Sequence, residues 1–276
     1  MDMQKKRVLF VSQEISPYLS ESKISDLGRT VPRGIMEKGK DIRIFMPKFG
    51  CINERRNQLH EVIRLSGMNM ILDNLDYPLI IKVASLQPVR MQVYFIENED
   101  YFPKKTFMHE LDGDFFDFHD ERAIFFCRGV LETVKKLGWA PDVVHCGGWM
   151  TALVPLYLKK AFADDPIFSN TKIVYSVFEQ EIGGELSVDM SRKAIVQGVE
   201  EADVAIISEP KINNLHKIAI NFADAVISGS ENIDPEIEKY IIESGKSSLN
   251  YHSDEDCTDA FDALYDELLE EEVVLS

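Results

Sequence analysis

The sequence predicts an α/β protein with a parallel sheet flanked by helices and a helical extension at its C-terminal end. Two observations predict this fold. Short β-branched runs alternate along the chain with segments of helical periodicity, which is the pattern of βαβ units. The 276 residues are also 45% hydrophobic, which is enough to bury a substantial core.

The first βαβ unit occupies the N-terminal part of the chain. Arg7–Ser12 (RVLFVS) is a short apolar run that predicts a buried parallel strand. Asp26–Lys38 carries apolar residues at helical spacing, and Gly39 follows it as a C-cap. Asp41–Pro47 predicts a second strand, which the proline stops.

The middle segment from Glu61 to Ile96 is richer in β-branched residues and predicts an antiparallel insertion. Its two strands are expected at Pro78–Ala84 and Arg90–Ile96, joined by a turn around Gln87-Pro88. The stretch Tyr101–Phe118 is aromatic and rich in turn residues, and we expect a loop there.

After this loop the alternation of helices and strands resumes. The apolar periodicity predicts a long helix over Asp120–Leu137. The further predicted elements are, in order, a strand at Asp142–His145, a helix at Trp149–Phe162, a strand at Lys172–Val177, a strand-like run at Val204–Ser208, a helix at Lys211–Phe222, a strand-like run at Ala225–Ser228 and a helix at Pro235–Glu243.

The chain divides into a body of residues 1–250 and an acidic C-terminal helix and tail of residues 251–276. From Tyr251 onward there are ten acidic residues and no lysine or arginine. An amphipathic helix is predicted over Asp259–Glu271, with a stripe of Phe261, Leu264, Tyr265, Leu268 and Leu269. This stripe must be buried against the body or against a partner, and we favour the body because the sheet needs helices on both faces.

Charge and cysteine usage exclude several classes of function. The formal net charge is −17 and no dense lysine or arginine run occurs, which argues against a nucleic-acid or anionic-membrane partner. The four cysteines lie far apart without a Cys-x-x-Cys pair, so neither a metal site nor a disulfide scaffold is expected. No secretory signal or membrane-length apolar run is found, and we expect a cytoplasmic protein.

Three loops follow predicted parallel strands. They are Gln13–Pro17, which leads through Ser20–Asp26 into the first helix, then His145–Trp149, and then Phe178–Glu181. Because ligands of open α/β sheets bind beyond the carboxyl ends of the strands, these loops are expected to line any binding site.

At these positions the chain resembles a known family. VLFVSQEISP, DLGRTVPRGIMEKGKDIRIFMPKFG and DERAIFFCRGVLETVKKLGWAPDVVHCGGWMTALVPLYLKK resemble the N-terminal domain of bacterial glycogen and plant starch synthases, across Arg7–Val177. The resemblance implies the N-terminal half of a glycosyltransferase built from two Rossmann-like domains. Such enzymes transfer glucose from ADP-glucose to an α-1,4-glucan with retention of configuration, and they need no metal or other cofactor.

The loops depart from the family's motifs. The family's Lys-Thr-Gly-Gly-Leu-Gly-Asp is aligned with Ser20–Asp26, where only Asp26 is kept and Lys23 is the candidate substitute phosphate contact. His-x-His-Asp-Trp becomes His145–Trp149, with glycines at 147 and 148. The third loop's His-Asn becomes Phe178-Glu179. Asp120–Arg122 remains family-like.

No catalytic residue is therefore assigned from the resemblance. Three candidates also have a structural interpretation: His145 as a buried hydrogen-bonding group, Trp149 as helix-to-sheet packing, and Asp120–Arg122 as a helix cap with ion pairs. The substrate-binding candidates are Glu14, Lys23, Asp26, Asp120, Arg122, His145, Trp149 and Glu179.

Two functions remain open, with a third possibility beside them. The first is a glucosyltransferase homologue that is impaired alone, or that depends on an intact transferase or on a chain carrying the second domain, whose motifs we do not find after Val177. The second is a non-catalytic module that binds glucan or regulates glycogen metabolism. The third is a structural subunit whose cleft face forms a homodimer.

Overall fold

The computed structural model describes residues 5–102, 119–179, 186–252 and 257–274, with the side chains of the last segment described to residue 270. Within these residues there are ten strands and nine α-helices. The strands are β1 (Arg7–Ser12), β2 (Asp41–Pro47), β3 (His60–Glu61), β4 (Met68–Leu72), β5 (Leu75–Leu86), β6 (Met91–Glu97), β7 (Val143–Gly147), β8 (Lys172–Val177), β9 (Ala225–Ser228) and β10 (Ser247–Leu249). The helices are α1 (Lys23–Glu37), α2 (Glu54–Asn57), α3 (His119–Leu137), α4 (Leu153–Lys159), α5 (Met190–Ala194), α6 (Glu201–Val204), α7 (Ile212–Phe222), α8 (Pro235–Ser244) and α9 (Cys257–Val274).

The sheet is dominated by parallel strands, as the sequence predicts. Its order is β10-β9-β8-β7-β1-β2-β6-β5-β3, and β4 pairs with β5. All neighbours from β10 to β6 run parallel, whereas β5 is antiparallel to β3, β4 and β6. The antiparallel insertion is therefore confirmed, with the addition that β6 joins it to the parallel part.

Helices flank this sheet in two groups. The first pairs α1 with α9, and the second connects α3 to α4 and α5, with α4 in contact with α7. The central strands β1, β7 and β8 are almost entirely buried, which explains their continuous apolar sequences. The core thus lies on both sides of the three strands that lead into the candidate loops.

The strand-like run at Val204–Ser208 is a wrong prediction. Val204 ends α6, and Ala205–Ser208 forms a 3₁₀ turn. Val204 and Ile207 are buried while Ala205 and Ser208 are exposed, which is the three-residue spacing of a helix. A short apolar run cannot be assigned to a strand or a helix by composition alone, because either element can bury it.

Two predicted helices begin three or more residues away from their predicted starts. The helix expected over Trp149–Phe162 is a 3₁₀ turn at Trp149–Thr151 followed by α4. The first helix begins at Lys23 instead of Asp26, because Ser22 and Ser25 form a capping box at its N-terminus.

Part of the predicted loop at Tyr101–Phe118 lies outside the described residues, since the description stops at Phe102 and resumes at His119. The same holds for Gln180 and Glu181 of the third loop. None of the described helices is both long enough and apolar enough to cross a bilayer.

Candidate functional site

The three predicted loops meet at the carboxyl edge of the central strands. The amide of Gln13, which follows β1, donates to the carbonyl of Gly147 at 3.4 Å. The amide of Gly148 in turn donates to the carbonyl of Ser176 in β8 at 3.3 Å. Parallel strands end at one edge of a sheet, so this convergence follows from the topology.

Gln13 fills the space beside the second loop. Its side chain is fully buried, and its Oε1 accepts from the amide of Met150 at 3.4 Å. Gly148 has a φ of +89°, and a Cβ at this position would lie 2.7 Å from Cδ of Gln13. The glycine is therefore required by the loop conformation and by the packing of Gln13.

Phe178, the first residue of the third loop, places its ring against Gly229 and Gly147. A Cβ on Gly229 would lie 2.5 Å from Cε1 of this ring, and a Cβ on Gly147 would lie 3.5 Å from its Cε2. A largely apolar cavity of about 30 Å³, lined in part by Phe178, remains there. That volume holds about one water molecule. Gly148 in the second loop and Gly229 after β9 thus make room for the side chains of Gln13 and Phe178.

Glu14 brings a carboxylate to the N-terminus of α1. It is buried, and its Oε2 accepts from the hydroxyl of Ser22, the N-cap residue, at 2.6 Å. Its Oε1 accepts from Nε2 of Gln13 at 2.9 Å. A helix N-terminus favours negative charge, and here the chain supplies that charge itself.

Two candidates, Lys23 and Asp26, lie on α1 itself and have different surroundings. The ammonium of Lys23 donates to the hydroxyl of Tyr251 at 3.0 Å and lies 5.0 Å from the centre of the same ring. Asp26 is exposed in the first turn of α1. The structure therefore places Lys23 against the segment that precedes α9.

His145 lies inside β7 in a buried hydrogen-bond chain. Its Nε2 is 2.6 Å from Oγ of Ser176, and its Nδ1 is 2.5 Å from the hydroxyl of Tyr265 in α9. Burial lowers the pKa of His145 to about 3. The imidazole is therefore neutral at physiological pH and connects α9 to the sheet.

The first turn of α3 carries a second group of candidates. Asp120 is fully buried, and its Oδ2 lies 3.2 Å from the ammonium of Lys193, which also pairs with Glu121 at 2.5 Å. Burial raises the pKa of Asp120 above its usual range, and Lys193 opposes this shift. These contacts show that the family-like segment at least anchors α3 to α5.

Arg122 is a buried cation between aromatic rings. Its guanidinium carbon lies 5.3 Å from the centre of the Phe49 ring and 5.5 Å from that of Phe102. Burial lowers the pKa of Arg122 to about 10, which leaves it protonated at neutral pH. The cation–π contacts compensate part of the cost of burying this charge.

Trp149 and Glu179 differ in exposure. Trp149 is fully buried, and its ring meets His119 edge-on at 5.7 Å. Its Nε1 has no hydrogen-bond partner among the described residues. Glu179 is exposed, and its amide donates to the hydroxyl of Ser230 at 3.1 Å.

A larger cavity of about 640 Å³ opens beyond the ends of β2 and β6. Lys48, Glu54, Glu97 and Phe102 contribute to its wall. Lys48 is buried and lies 3.1 Å from Glu54 and 3.6 Å from Glu97. The wall therefore combines paired charges with an aromatic side chain.

The structure thus brings the candidates into separate groups: Glu14 with the loop after β1, His145 under α9, and Asp120, Arg122 and Trp149 around the start of α3. Across the described residues, no group of three or more histidine, cysteine, aspartate or glutamate side chains could hold a metal ion.

Sequence reasoning missed the partners of these candidates. Tyr265 is 120 residues from His145, and Tyr251 is 228 residues from Lys23. Lys193, the partner of Asp120, is likewise 73 residues away. No local pattern marks pairs at such separations.

Comparisons with known proteins are consistent with one another. The sequence profile of the starch synthase catalytic domain matches residues 7–249. A glycogen synthase of Chlorobium limicola is 37% identical over 197 residues, which cover 71% of this chain and 40% of that protein. A glycogen synthase of Chlorobaculum parvum is 34% identical over 248 residues, covering 88% of this chain and 49% of that protein.

A solved structure shares the fold. The catalytic domain of starch synthase IV from Arabidopsis thaliana, bound to ADP and acarbose, matches with a TM-score of 0.72 and 20% identity, over 90% of this chain and 51% of that one. This chain spans less than half the length of the curated relatives named above.

Proposed function

Since this chain belongs to the family of the starch synthase catalytic domain, we propose that it is a glycogen/starch synthase-like domain that does not transfer glucose by itself. The main support for this proposal is that the chain's own side chains fill the loops at the carboxyl edge of the sheet. Gln13 and Phe178 occupy the space beside the loop glycines, and Glu14 supplies the negative charge at the N-terminus of α1.

Charge adds to this steric argument. The donor of the family, ADP-glucose, carries a diphosphate, and Glu14 and the neighbouring Glu21 would repel it. Lys23, the candidate phosphate contact, donates to Tyr251. Each charge-assisted hydrogen bond that is missing removes ~1.5–3 kcal/mol. The loss of three such bonds turns a micromolar site into a roughly millimolar one or weaker.

Transfer then depends on another chain. The partner we propose is an intact glycosyltransferase of the same family or a chain that supplies the second Rossmann-like domain. The loops described above, without the family's lysine and histidine side chains, offer only part of the preorganised charge that a glycosyl transition state requires.

The test is incorporation of labelled glucose. The purified chain is incubated with labelled ADP-glucose and a glycogen primer, alone and together with an intact synthase from the same cell. We expect no incorporation by the chain alone and no micromolar binding of ADP-glucose by calorimetry. Incorporation by the lone chain would overturn the proposal, whereas stimulation of the intact synthase would support dependence on a partner.

A non-catalytic glucan-binding module is the second candidate function. The cavity beyond β2 and β6 favours it, because carboxylates, an ammonium and an aromatic wall suit the hydroxyls and apolar faces of sugars. Co-sedimentation with glycogen tests it, with Glu97→Gln as the cavity variant and the exposed Glu267→Gln as its control. Sedimentation that only Glu97→Gln weakens supports this candidate with the cavity as its site. Sedimentation equal in both variants excludes the cavity as the site, and no sedimentation of the wild type refutes the candidate.

A further inference from the structure

A separate cavity of about 340 Å³ lies between the β4–β5 hairpin, α3 and the segment of α5. Arg128 reaches it from α3, Arg192 and Lys193 from α5, and Asp73 and Asn74 from the tip of the hairpin. None of these elements contributes a residue to the three loops. Its volume lies within the ~300–1,000 Å³ typical of small-molecule sites.

The side chains that line this cavity are more basic than the protein as a whole. The chain has a formal net charge of −17, yet three cations and one carboxylate line the cavity. Asp73 pairs with Arg192, and Asp120 and Glu121 pair with Lys193. The positive charge that can attract an anion there is therefore mainly that of Arg128.

One hydrogen bond orients Arg128, and other N–H donors of its guanidinium are not used by it. Its Nη1 donates to the carbonyl of Ile71 at 2.6 Å, and it forms no ion pair with any residue that the structure describes. A guanidinium has five N–H donors in a rigid fork. The fixed orientation therefore leaves donors for a ligand without a large loss of side-chain entropy.

The other two cations are held by carboxylates, and the carboxylate that holds Arg192 itself lines the cavity. Arg192 uses Nη1 and Nη2 on Asp73, at 2.7 and 3.4 Å, which leaves its Nε. Lys193 donates to Asp120 at 3.2 Å and to Glu121 at 2.5 Å, and an ammonium has three donors. Each of the two therefore keeps a donor beyond the bonds to these carboxylates.

We propose that this cavity binds a small oxyanion, namely the phosphate or carboxylate group of a metabolite. Arg128 makes the main contact and Arg192 and Lys193 add to it. The amides of Asn74 and Gln197 supply neutral hydrogen-bonding groups at the wall. The volume of about 340 Å³ suits a small molecule.

Calorimetric titration of the full chain tests this proposal, with inorganic phosphate and citrate as probes at constant ionic strength. The variant is Arg128→Gln, and the control is Arg33→Gln, which removes an exposed cation from α1. We expect saturable binding to the wild type, at least tenfold weaker binding to Arg128→Gln, and a change of less than twofold in the control. Preference for phosphate or for citrate identifies which chemical group is the ligand.

Two results would overturn the proposal. One is that neither probe binds saturably to the wild-type chain at concentrations up to about 10 mM. A dissociation constant of that size corresponds to a binding free energy near ~3 kcal/mol. The other is equal binding by the wild type and Arg128→Gln. If Arg128→Gln does not fold, Arg128→Lys keeps the charge but loses the fork, and weaker binding is again expected.

Discussion

Gly148 combines two constraints that substitution can separate. Its φ of +89° disfavours any side chain, and Gln13 occupies the volume of a Cβ. Gly67 has a φ of +81° with no atom within 4 Å of a Cβ, so it provides a control for the backbone term alone. We expect Gly67→Ala to lower the free energy of unfolding by about 1 kcal/mol. Gly148→Ala should lower it by about 1–3 kcal/mol more, and urea denaturation measures both values.

A double variant distinguishes overlap from backbone strain. Gln13→Ala should recover part of the loss in Gly148→Ala, because the overlapping atoms are removed. A coupling energy near zero in the double-mutant cycle would show that Gln13 is not the cause.

His145 makes the stability of the protein dependent on pH. Burial lowers its pKa from 6.5 to about 3, so the unfolded chain binds the proton more tightly than the folded one. The stabilisation from the neutral imidazole is complete above pH 6.5 and is lost as the pH falls toward 3. Between pH 7 and pH 5, protonation of His145 in the unfolded chain alone lowers the free energy of unfolding by about 2 kcal/mol.

The measurement is the free energy of unfolding at pH 7 and pH 5. In His145→Gln the difference between the two pH values should shrink by about 2 kcal/mol. His60→Gln, which removes an exposed imidazole, is the matched control. An equal reduction in both variants would contradict the role assigned to the burial of His145. His216, whose pKa burial lowers to about 4, contributes equally to all three proteins.

Helix α9 is attached to the body by an apolar stripe and by ion pairs. All five residues of the predicted stripe are buried, so the packing against the body that the sequence analysis favours is found. Just after α1, the C-cap residue Lys38 pairs with Asp259 at 2.7 Å and Lys40 pairs with Asp262 at 2.5 Å. The acidic charge of this helix is thus partly matched by two lysines.

We expect Leu264→Ala to destabilise the protein by about 2–5 kcal/mol, since Leu264 is buried against the body. The control is Glu267→Ala on the exposed side of the same helix, which should change stability by less than about 0.5 kcal/mol. Equal melting temperatures of the two variants would show that α9 does not stabilise the body. Deletion of Asp259–Ser276 should lower the melting temperature further.

The parallel elements could be predicted closely from the sequence. The bounds of β1, β2, β8 and β9 agree with the predicted ones, because a buried parallel strand is a continuous apolar run between turn residues. By contrast, β3 and β10 are two and three residues long and largely exposed. They carry no apolar signal and were not predicted.

The candidate site was predictable in its position and not in its contacts. Sheet topology places the three loops together, and this follows from the βαβ pattern. The filling of the loops by Gln13 and Phe178 depends on side-chain packing between segments far apart in sequence. Such packing leaves no periodic pattern that a single sequence could reveal.

Amide hydrogen exchange should follow the position of the strands in the sheet. The strands β1, β7 and β8 lie in the middle of the sheet, with partners on both sides, and should exchange only by global unfolding. At the margin, β3 and β4 each pair with β5 alone and should exchange by local opening, at least a hundredfold faster. Comparable protection of β4 and β7 would contradict this order.

The contact between α1 and α9 also has a consequence for synthesis. Lys40 and Asp262 are 222 residues apart, and at ~5–20 residues per second the ribosome needs roughly 10–45 seconds to make the intervening chain. During that interval the sheet face around Phe10 and His145 lacks Phe261 and Tyr265, the aromatic neighbours that later cover it. The nascent chain therefore leaves this apolar surface uncovered by α9 for many seconds.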